Sequence, residues 1–180
     1  DDAQDGSSQG IYAQRYDANS LQVGEAFQIN SQASGQQYQP VVASQPGGGF
    51  VVAWYSATIQ DGQYYDVYFQ RFNNSGVPQG AETRANTSTG FEDTAQYEPA
   101  ITALTDGSFV LTWRSQSQDD STDGVYGQRF AANGDKLGTE FLINTHTGNT
   151  QFEPSIAALA GGGFVVTWTS TGQDGGASYG

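Results

Sequence analysis

Three copies of one sequence pattern fill this chain of 180 residues, and the repetition constrains the fold more than any other feature. Each copy opens with Gln-Asp, continues to Gln-Arg and an aromatic residue, and closes with Phe-Val, two further residues and a tryptophan. The copies span about residues 4–59, 60–117 and 118–172, and a fourth starts at 173–180. Such repetition is typical of proteins in which every copy folds into the same structural unit.

Each copy predicts four short β-strands. The segment from Ile11 to Tyr16 alternates between two faces in the manner of a strand. Two further runs flank the Gly-rich segment 45–49, a pattern that favours a β-hairpin. No segment of useful length carries the 3.6-residue period of an amphipathic helix. We therefore predict an all-β chain of tandem four-stranded antiparallel repeats, arranged as consecutive β-propeller blades, with a β-sandwich of hairpins as the alternative.

The composition excludes several classes of function. The chain holds 19 acidic and 6 basic residues and carries a formal net charge of -13. Such a surface repels phosphate backbones, so we expect no nucleic-acid partner. The sequence has no cysteine, which excludes disulfides and thiolate metal sites. No apolar run reaches the length of a membrane span.

Three kinds of residue recur at equivalent positions and predict structural roles. The arginines and the glutamates that follow them would face each other across a hairpin, so we expect cross-strand ion pairs of about 0.2–1 kcal/mol each. A sugar- or carboxylate-binding role for the arginines is the alternative. The tryptophans end matching strands, which predicts packing between blades. The residues are Arg15, Arg71 and Arg129, then Glu25, Glu82 and Glu140, then Trp54, Trp113 and Trp168.

The loop before each Gln-Arg strand carries candidate binding residues. Its richest copy holds Asp119, Asp120 and Asp123, and the preceding copy holds Asp61 and Asp66. Calcium takes six to eight oxygen ligands, largely from carboxylates and carbonyls, so these aspartates predict a calcium site. The alternative is a solvated acidic turn in which each aspartate bonds to its own backbone.

Two neighbouring aromatic residues in the same loop predict a different kind of binding. Tyr64 and Tyr65 follow Asp61 closely, and we expect them to be exposed and to stack against a sugar. A glycan is therefore one predicted partner.

Catalytic signatures are weak in this sequence. It holds no nucleotide-binding fingerprint, phosphate loop or Ser-His-Asp set. A paired-carboxylate glycosidase would use Glu98 and Glu153, which both precede prolines. These residues recur, however, and Gln39 replaces them in the first copy, which favours a structural role. The prediction is that the chain is not an enzyme.

Three stretches resemble the repeats of very large secreted bacterial proteins of the RTX-associated, adhesin-like type. They are Thr105 to Trp113, Tyr126 to Phe130 and Pro154 to Trp168. The resemblance implies export from a bacterial cell, an extracellular or cell-surface location, and a role in adhesion, matrix or surface display. We therefore predict a non-enzymatic adhesion or structural module that binds a glycan, a protein surface or further copies of itself. The alternatives are a carbohydrate-binding lectin-like propeller, a self-associating filament or sheath subunit, and a sialidase-like glycoside-active enzyme.

Overall fold

The described part of the chain is built from antiparallel β-strands. The structure, a computed structural model, describes residues 9–32, 35–58, 64–87, 95–118 and 122–173. Within these ranges the named elements are all β-strands. Every pairing between them is antiparallel. The prediction of an all-β chain of antiparallel sheets is confirmed. A search of the same ranges for a helix long and apolar enough to cross a membrane finds none.

The strands follow the chain in order. They are β1 (Tyr12–Tyr16), β2 (Gln22–Gln28), β3 (Gln36–Ser44), β4 (Phe50–Thr58), β5 (Tyr64–Phe72), β6 (Thr83–Arg84), β7 (Gln96–Ala103), β8 (Phe109–Gln116), β9 (Asp123–Phe130), β10 (Lys136–Leu142), β11 (Gln151–Ala158) and β12 (Phe164–Ser170).

Two complete sheets lie at the centre of the described chain. One has the strand order β3-β4-β5-β6 and the other β7-β8-β9-β10, while β1-β2 and β11-β12 form two-stranded sheets. Each complete sheet therefore joins the last two strands of one sequence copy to the first two strands of the next. We call β3, β7 and β11 the first strands of their sheets. The first strands contact one another in order, β3 with β7 and β7 with β11.

Buried asparagines explain one of the recurring sequence positions. Asn30, Asn86 and Asn144 follow the outer strands, and each side-chain oxygen accepts a hydrogen bond from a backbone N–H that lies 19 residues earlier. These bonds measure 2.8, 3.0 and 2.7 Å. All three asparagines are at most 3% exposed. A buried amide that satisfies a backbone donor is costly to replace, so the position is fixed by the architecture.

The hydrophobic core lies between successive sheets. Phe69 of one complete sheet meets Phe109 and Phe130 of the next at ring-centroid separations of 5.3 and 4.8 Å. Trp113 belongs to this cluster, and Trp54 belongs to a second cluster between β1-β2 and the first complete sheet. Both tryptophans are fully buried. Packing between sheets therefore ties the tandem units together.

Two adjacent glycines in the first hairpin provide a matched test of this packing. Gly48 and Gly49 have φ angles of 88° and 87°, a region that costs other residues about 1–2 kcal/mol. A Cβ at Gly49 would lie 2.3 Å from the carbonyl oxygen of Phe72, whereas one at Gly48 would meet no atom within 4 Å. We expect Gly49→Ala to lower the free energy of unfolding by about 1–3 kcal/mol more than Gly48→Ala, because of overpacking. Urea unfolding of both variants measures the difference, and equal losses would contradict it.

Candidate functional site

A strained residue interrupts each first strand at the same place. The pairing with the second strand shifts at this position in all three sheets. Gln39, Glu98 and Glu153 occupy the shift with φ angles of 48°, 52° and 53°, and a proline follows each of them. Left-handed geometry costs a residue other than glycine about 1–3 kcal/mol, and such strain is concentrated at functional sites. In the two complete sheets the shift in pairing lies opposite the fully buried tryptophan of the second strand.

The second sheet carries a charged cluster at this bulge. Arg114 of β8 donates to Glu98 Oε1 of β7 at 3.3 Å and to Asp123 Oδ2 of β9 at 2.8 Å. One guanidinium thus bridges carboxylates from the two strands that flank it. Charge-assisted bonds of this kind are stronger and more specific than bonds between neutral groups. The cluster is partly withdrawn from water, since the side chains of Arg114 and Asp123 are 28% and 9% exposed.

The surroundings of Arg114 fix its charge. Its guanidinium lies 5.9 Å from the ring centroids of both Tyr97 and Phe152, which gives it cation–π contacts with two rings. Burial opposes the charged form of this group, but the hydrogen bonds and charges of Asp123 and Glu98 outweigh burial and raise the pKa of Arg114. The arginine is therefore a permanent cation between two acids.

Glu98 is held at both carboxylate oxygens. Its Oε2 accepts a hydrogen bond of 2.7 Å from the backbone N–H of Glu153, while Oε1 faces Arg114. The side chain of Glu153 is exposed, and Thr169 Oγ1 lies 3.5 Å from it. Glu98 and Glu153, the pair that the glycosidase alternative would use, meet through the backbone N–H of Glu153 and not through a shared cation. The acid that shares a cation with Glu98 is Asp123.

A cleft opens beside this cluster. It has a volume of about 360 Å³, and Tyr55, Tyr97, Glu98, Arg114 and Asp123 are among the residues that line it. A concave site with aromatic walls and a few charged groups is the usual form of a small-molecule site. Sequence reasoning missed Arg114, although a signal was present. Tyr55 and Thr169 occupy the equivalent strand position in the other copies, so only the second sheet carries a cation there.

Tyrosines occupy the corresponding place on the first complete sheet. Tyr38, Tyr55 and Tyr65 lie on β3, β4 and β5, and Tyr97 joins them from β7. The ring centroids of Tyr38 and Tyr55 are 5.2 Å apart, and those of Tyr65 and Tyr97 are 5.0 Å apart. We call these four residues the tyrosine cluster. Tyr65 was expected in an exposed loop, but it is half-buried on a strand. Tyr64 starts the same strand, and its side chain lies outside the described part of the structure.

The predicted calcium ligands are only partly within the described residues. Asp61, Asp119 and Asp120 lie outside them. Asp66 accepts a hydrogen bond of 2.7 Å from Asn86 Nδ2 and has Arg84 at 3.7 Å. In the described ranges no three Asp, Glu or His side chains group in a way that could hold a metal ion. The calcium site stays a prediction.

Two of the recurring arginines contact the neighbouring sheet, and the third contacts a turn of its own sheet, instead of the glutamate across the hairpin. Arg15 Nη1 donates to the carbonyl of Asn74 at 3.0 Å, and Arg71 Nη1 donates to that of Ala132 at 2.5 Å. Arg129 pairs with Asp106 at 2.8 Å. The prediction of three Arg–Glu cross-strand pairs is wrong, because Arg15 and Arg71 extend to a turn of the following unit and Arg129 extends to the β7–β8 turn of its own sheet. Burial lowers the pKa of Arg71, and the charge of Asp135 opposes this effect.

Two of the recurring glutamates contact the preceding unit of the chain. Glu82 accepts hydrogen bonds from the backbone N–H and the hydroxyl of Ser31 at 2.7 and 2.8 Å. Glu140 accepts the same pair of bonds from Thr87, both at 2.8 Å. Each glutamate thus contacts the residue that directly follows a buried asparagine, Asn30 or Asn86. The recurrence of these glutamates therefore reflects contact between repeats.

A matched pair of substitutions tests this assignment. Glu82→Ala removes two hydrogen bonds between units and should lower the free energy of unfolding by about 0.5–1.5 kcal/mol. Glu25 is the equivalent residue of β2, is exposed, and makes no such contact within the described ranges. Glu25→Ala should therefore change stability by less than about 0.5 kcal/mol. Urea unfolding of both variants measures the effect, and equal changes would show that the Ser31 contact contributes nothing.

Comparisons with known proteins show the fold. No protein-family model and no curated protein matches the chain. The structure is similar to an endo-arabinase from Bacteroides thetaiotaomicron VPI-5482, with a TM-score of 0.52, 14% identity, and coverage of 77% of this chain and 52% of that one. It is also similar to an alpha-L-arabinofuranosidase from Lactobacillus brevis, with a TM-score of 0.51, 14% identity, and coverage of 82% and 48%. The chain thus spans about half the length of the solved structures it matches.

This likeness corrects the predicted function. The prediction was a non-enzymatic adhesion or structural module, whereas the similar solved structures belong to enzymes named for their action on glycosides. The adhesion prediction is contradicted, and so is the prediction that the chain is not an enzyme.

Proposed function

We propose that this chain is a carbohydrate-active unit whose tandem sheets are consecutive blades of a β-propeller. The contacts between successive first strands support this arrangement, because the first strands of propeller blades surround a common axis. The cleft at Glu98, Arg114 and Asp123 lies where these strands meet. In this proposal it binds a glycan and cleaves a glycosidic bond.

The single observation that carries the proposal is the pair of carboxylates on one guanidinium. Glycoside hydrolysis uses two carboxyl groups beside the scissile bond, one to protonate the leaving oxygen and one as base or nucleophile. Glu98 and Asp123 both line the cleft, and Arg114 fixes them relative to each other. Arabinofuranosides are the first substrates to test, because both similar enzymes are named for arabinose-containing glycans.

Comparison of equivalent positions in the repeats suggests a substitution that tests the role of Glu98. Glu98→Gln should reduce hydrolysis of an arabinofuranoside by at least about 100-fold, as expected for loss of a general acid or base. The variant should fold, because Gln39 occupies the same left-handed position in the first sheet. Asp123→Asn should cause a loss of similar size. Reducing-sugar release from arabinan and from aryl arabinofuranosides measures both variants.

Glu153→Gln is the matched control. Glu153 shares the residue type, the following proline and the left-handed backbone, but its carboxylate is exposed and only its N–H contacts Glu98. It should retain activity within about twofold, as is usual for a surface substitution. Full turnover in Glu98→Gln, or equal losses in both glutamate variants, would contradict the assignment of the cleft as the reaction site.

A further inference from the structure

We propose that the cleft continues onto the tyrosine cluster of the neighbouring sheet, so that its ligand is an oligosaccharide and not a single sugar. This inference rests on the proposed function and adds a substrate class to it. The charged cluster would hold the sugar at the reacting bond. The tyrosines would hold the next sugar along the chain.

The first support is the correspondence between the two sheets. Tyr55 is paired with Tyr38 in the first sheet, as Arg114 is paired with Tyr97 in the second. Tyr65 lies two residues before Val67, the partner of Tyr55, just as Asp123 precedes Val125, the partner of Arg114. The same strand positions thus carry aromatic rings on one sheet and charges on the next. The chain departs from its own repetition at this place.

The second support is that the aromatic rings run without a gap from the cleft to the neighbouring sheet. Tyr55 and Tyr97 line the cleft, and their ring centroids are 5.6 Å apart with an interplanar angle of 83°. Tyr55 also contacts Tyr65 at 5.5 Å. The rings therefore form an uninterrupted surface from the charged cluster across to the neighbouring sheet. Half-buried aromatic rings next to polar groups suit a ligand with apolar faces and hydroxyl edges, which is the chemistry of a sugar ring.

Tyr38 donates its hydroxyl to Gln36, whereas Tyr55 and Tyr97 line the cleft, where their hydroxyls can donate to a ligand. Burial raises the pKa of Tyr55, and the neighbouring Tyr38 and Tyr65 add to the effect. Burial also raises the pKa of Tyr97, with Tyr65 adding to it and Arg114 opposing it. The phenols of Tyr55 and Tyr97 therefore stay protonated at neutral pH. A cluster of neutral hydroxyls accepts uncharged saccharides without introducing a repelling charge.

The experiment is a saccharide ladder measured by calorimetry with the Glu98→Gln variant, which binds without turnover. The ladder is arabinose, arabinobiose, arabinotriose and arabinotetraose. We expect affinity to rise about tenfold from the monosaccharide to the longer members, as a second sugar reaches the tyrosines. Adding Tyr55→Thr should abolish that increase in affinity with saccharide length. Threonine is compatible with the fold, because Thr169 occupies the equivalent position.

Tyr16→Thr is the control, since Tyr16 lies on β1 and is 59% exposed. It should keep the full increase in affinity with length. A general loss of folding would weaken every member of the ladder equally, and thermal unfolding detects it. If arabinose and the longer saccharides bind equally, or if Tyr55→Thr preserves the increase, the inference is wrong while the proposed function stands. If no member of the ladder binds and none is hydrolysed by the unmodified chain, the proposed function fails as well.

Discussion

Replacement of Trp113 with alanine is expected to lower the free energy of unfolding by about 3–5 kcal/mol, the usual loss for a large aromatic residue in a core. Trp113 is 0% exposed and belongs to the cluster that joins the two complete sheets. The bulge that carries Glu98 lies opposite it, between the paired positions Tyr97 and Ala100. We also expect weaker saccharide binding, because the cavity removes the packing that supports the strained Glu98. Urea unfolding measures the stability, and a saccharide titration measures the second effect.

Trp168→Ala is the comparison variant. Trp168 is half-buried on β12 and donates a hydrogen bond of 3.1 Å to Gln151. Removal of a half-buried ring leaves a smaller cavity, so this substitution should cost less than Trp113→Ala. The slope of free energy against urea should remain constant in both variants if the unfolded states are alike. Equal losses for the two tryptophans would show that packing between the complete sheets is not what stabilises the chain.

Replacement of Arg114 with threonine is expected to reduce kcat/KM for an arabinofuranoside by about 100-fold or more, since small displacements of catalytic groups have effects of this size. Without the guanidinium, Glu98 and Asp123 lose the cation that bridges them and repel each other. Arg114→Lys tests the geometry separately from the charge. Lysine keeps the charge but not the planar fork that contacts two carboxylates at once. It should therefore retain most of the stability and lose most of the activity.

Arg84→Thr is the matched control for the arginine variants. Arg84 faces Asp66 at 3.7 Å, and its side chain is 40% exposed, so it forms a looser pair away from the cleft. Its removal should change the free energy of unfolding by less than about 1 kcal/mol and leave activity intact. Undiminished activity in both Arg114 variants would show that the bridge does not position the reacting groups.

Much of the fold could be predicted from repetition, because the recurring residues are those that the architecture requires. Asn30, Asn86 and Asn144 recur since each satisfies a buried backbone donor. The tryptophans recur since each lies opposite a bulge. The complete sheets begin at Gln36 and Gln96, within the sequence copies and not at their edges.

The contacts of long side chains could not be predicted from spacing. Arg71 and Glu82 are close in sequence and lie near one hairpin, but each contacts a different neighbouring unit. Sequence separation describes the hairpin and contains no information about the packing of one sheet on the next. Tyr65 was assigned to a loop for a related reason, since β5 extends further toward the loop than its composition indicated.

The candidate site was visible in the sequence only as a departure from the repeat. Asp123 was predicted as a calcium ligand, and its contact with Arg114 depends on the register between β8 and β9. The recurrence of Glu98 favours a structural role when the sequence alone is considered. The structure shows that a recurring strained position supports the cleft, while the residues beside it differ from sheet to sheet. Export and an extracellular location stay predictions.

A crystal structure of the Glu98→Gln variant with arabinotriose would show where a saccharide binds. We expect one sugar within hydrogen-bonding distance of Arg114 and Asp123, and the next sugar against Tyr55. A cleft that stays empty at saturating saccharide, or a saccharide bound only at the hairpin turns on the other side of the sheets, would contradict this expectation.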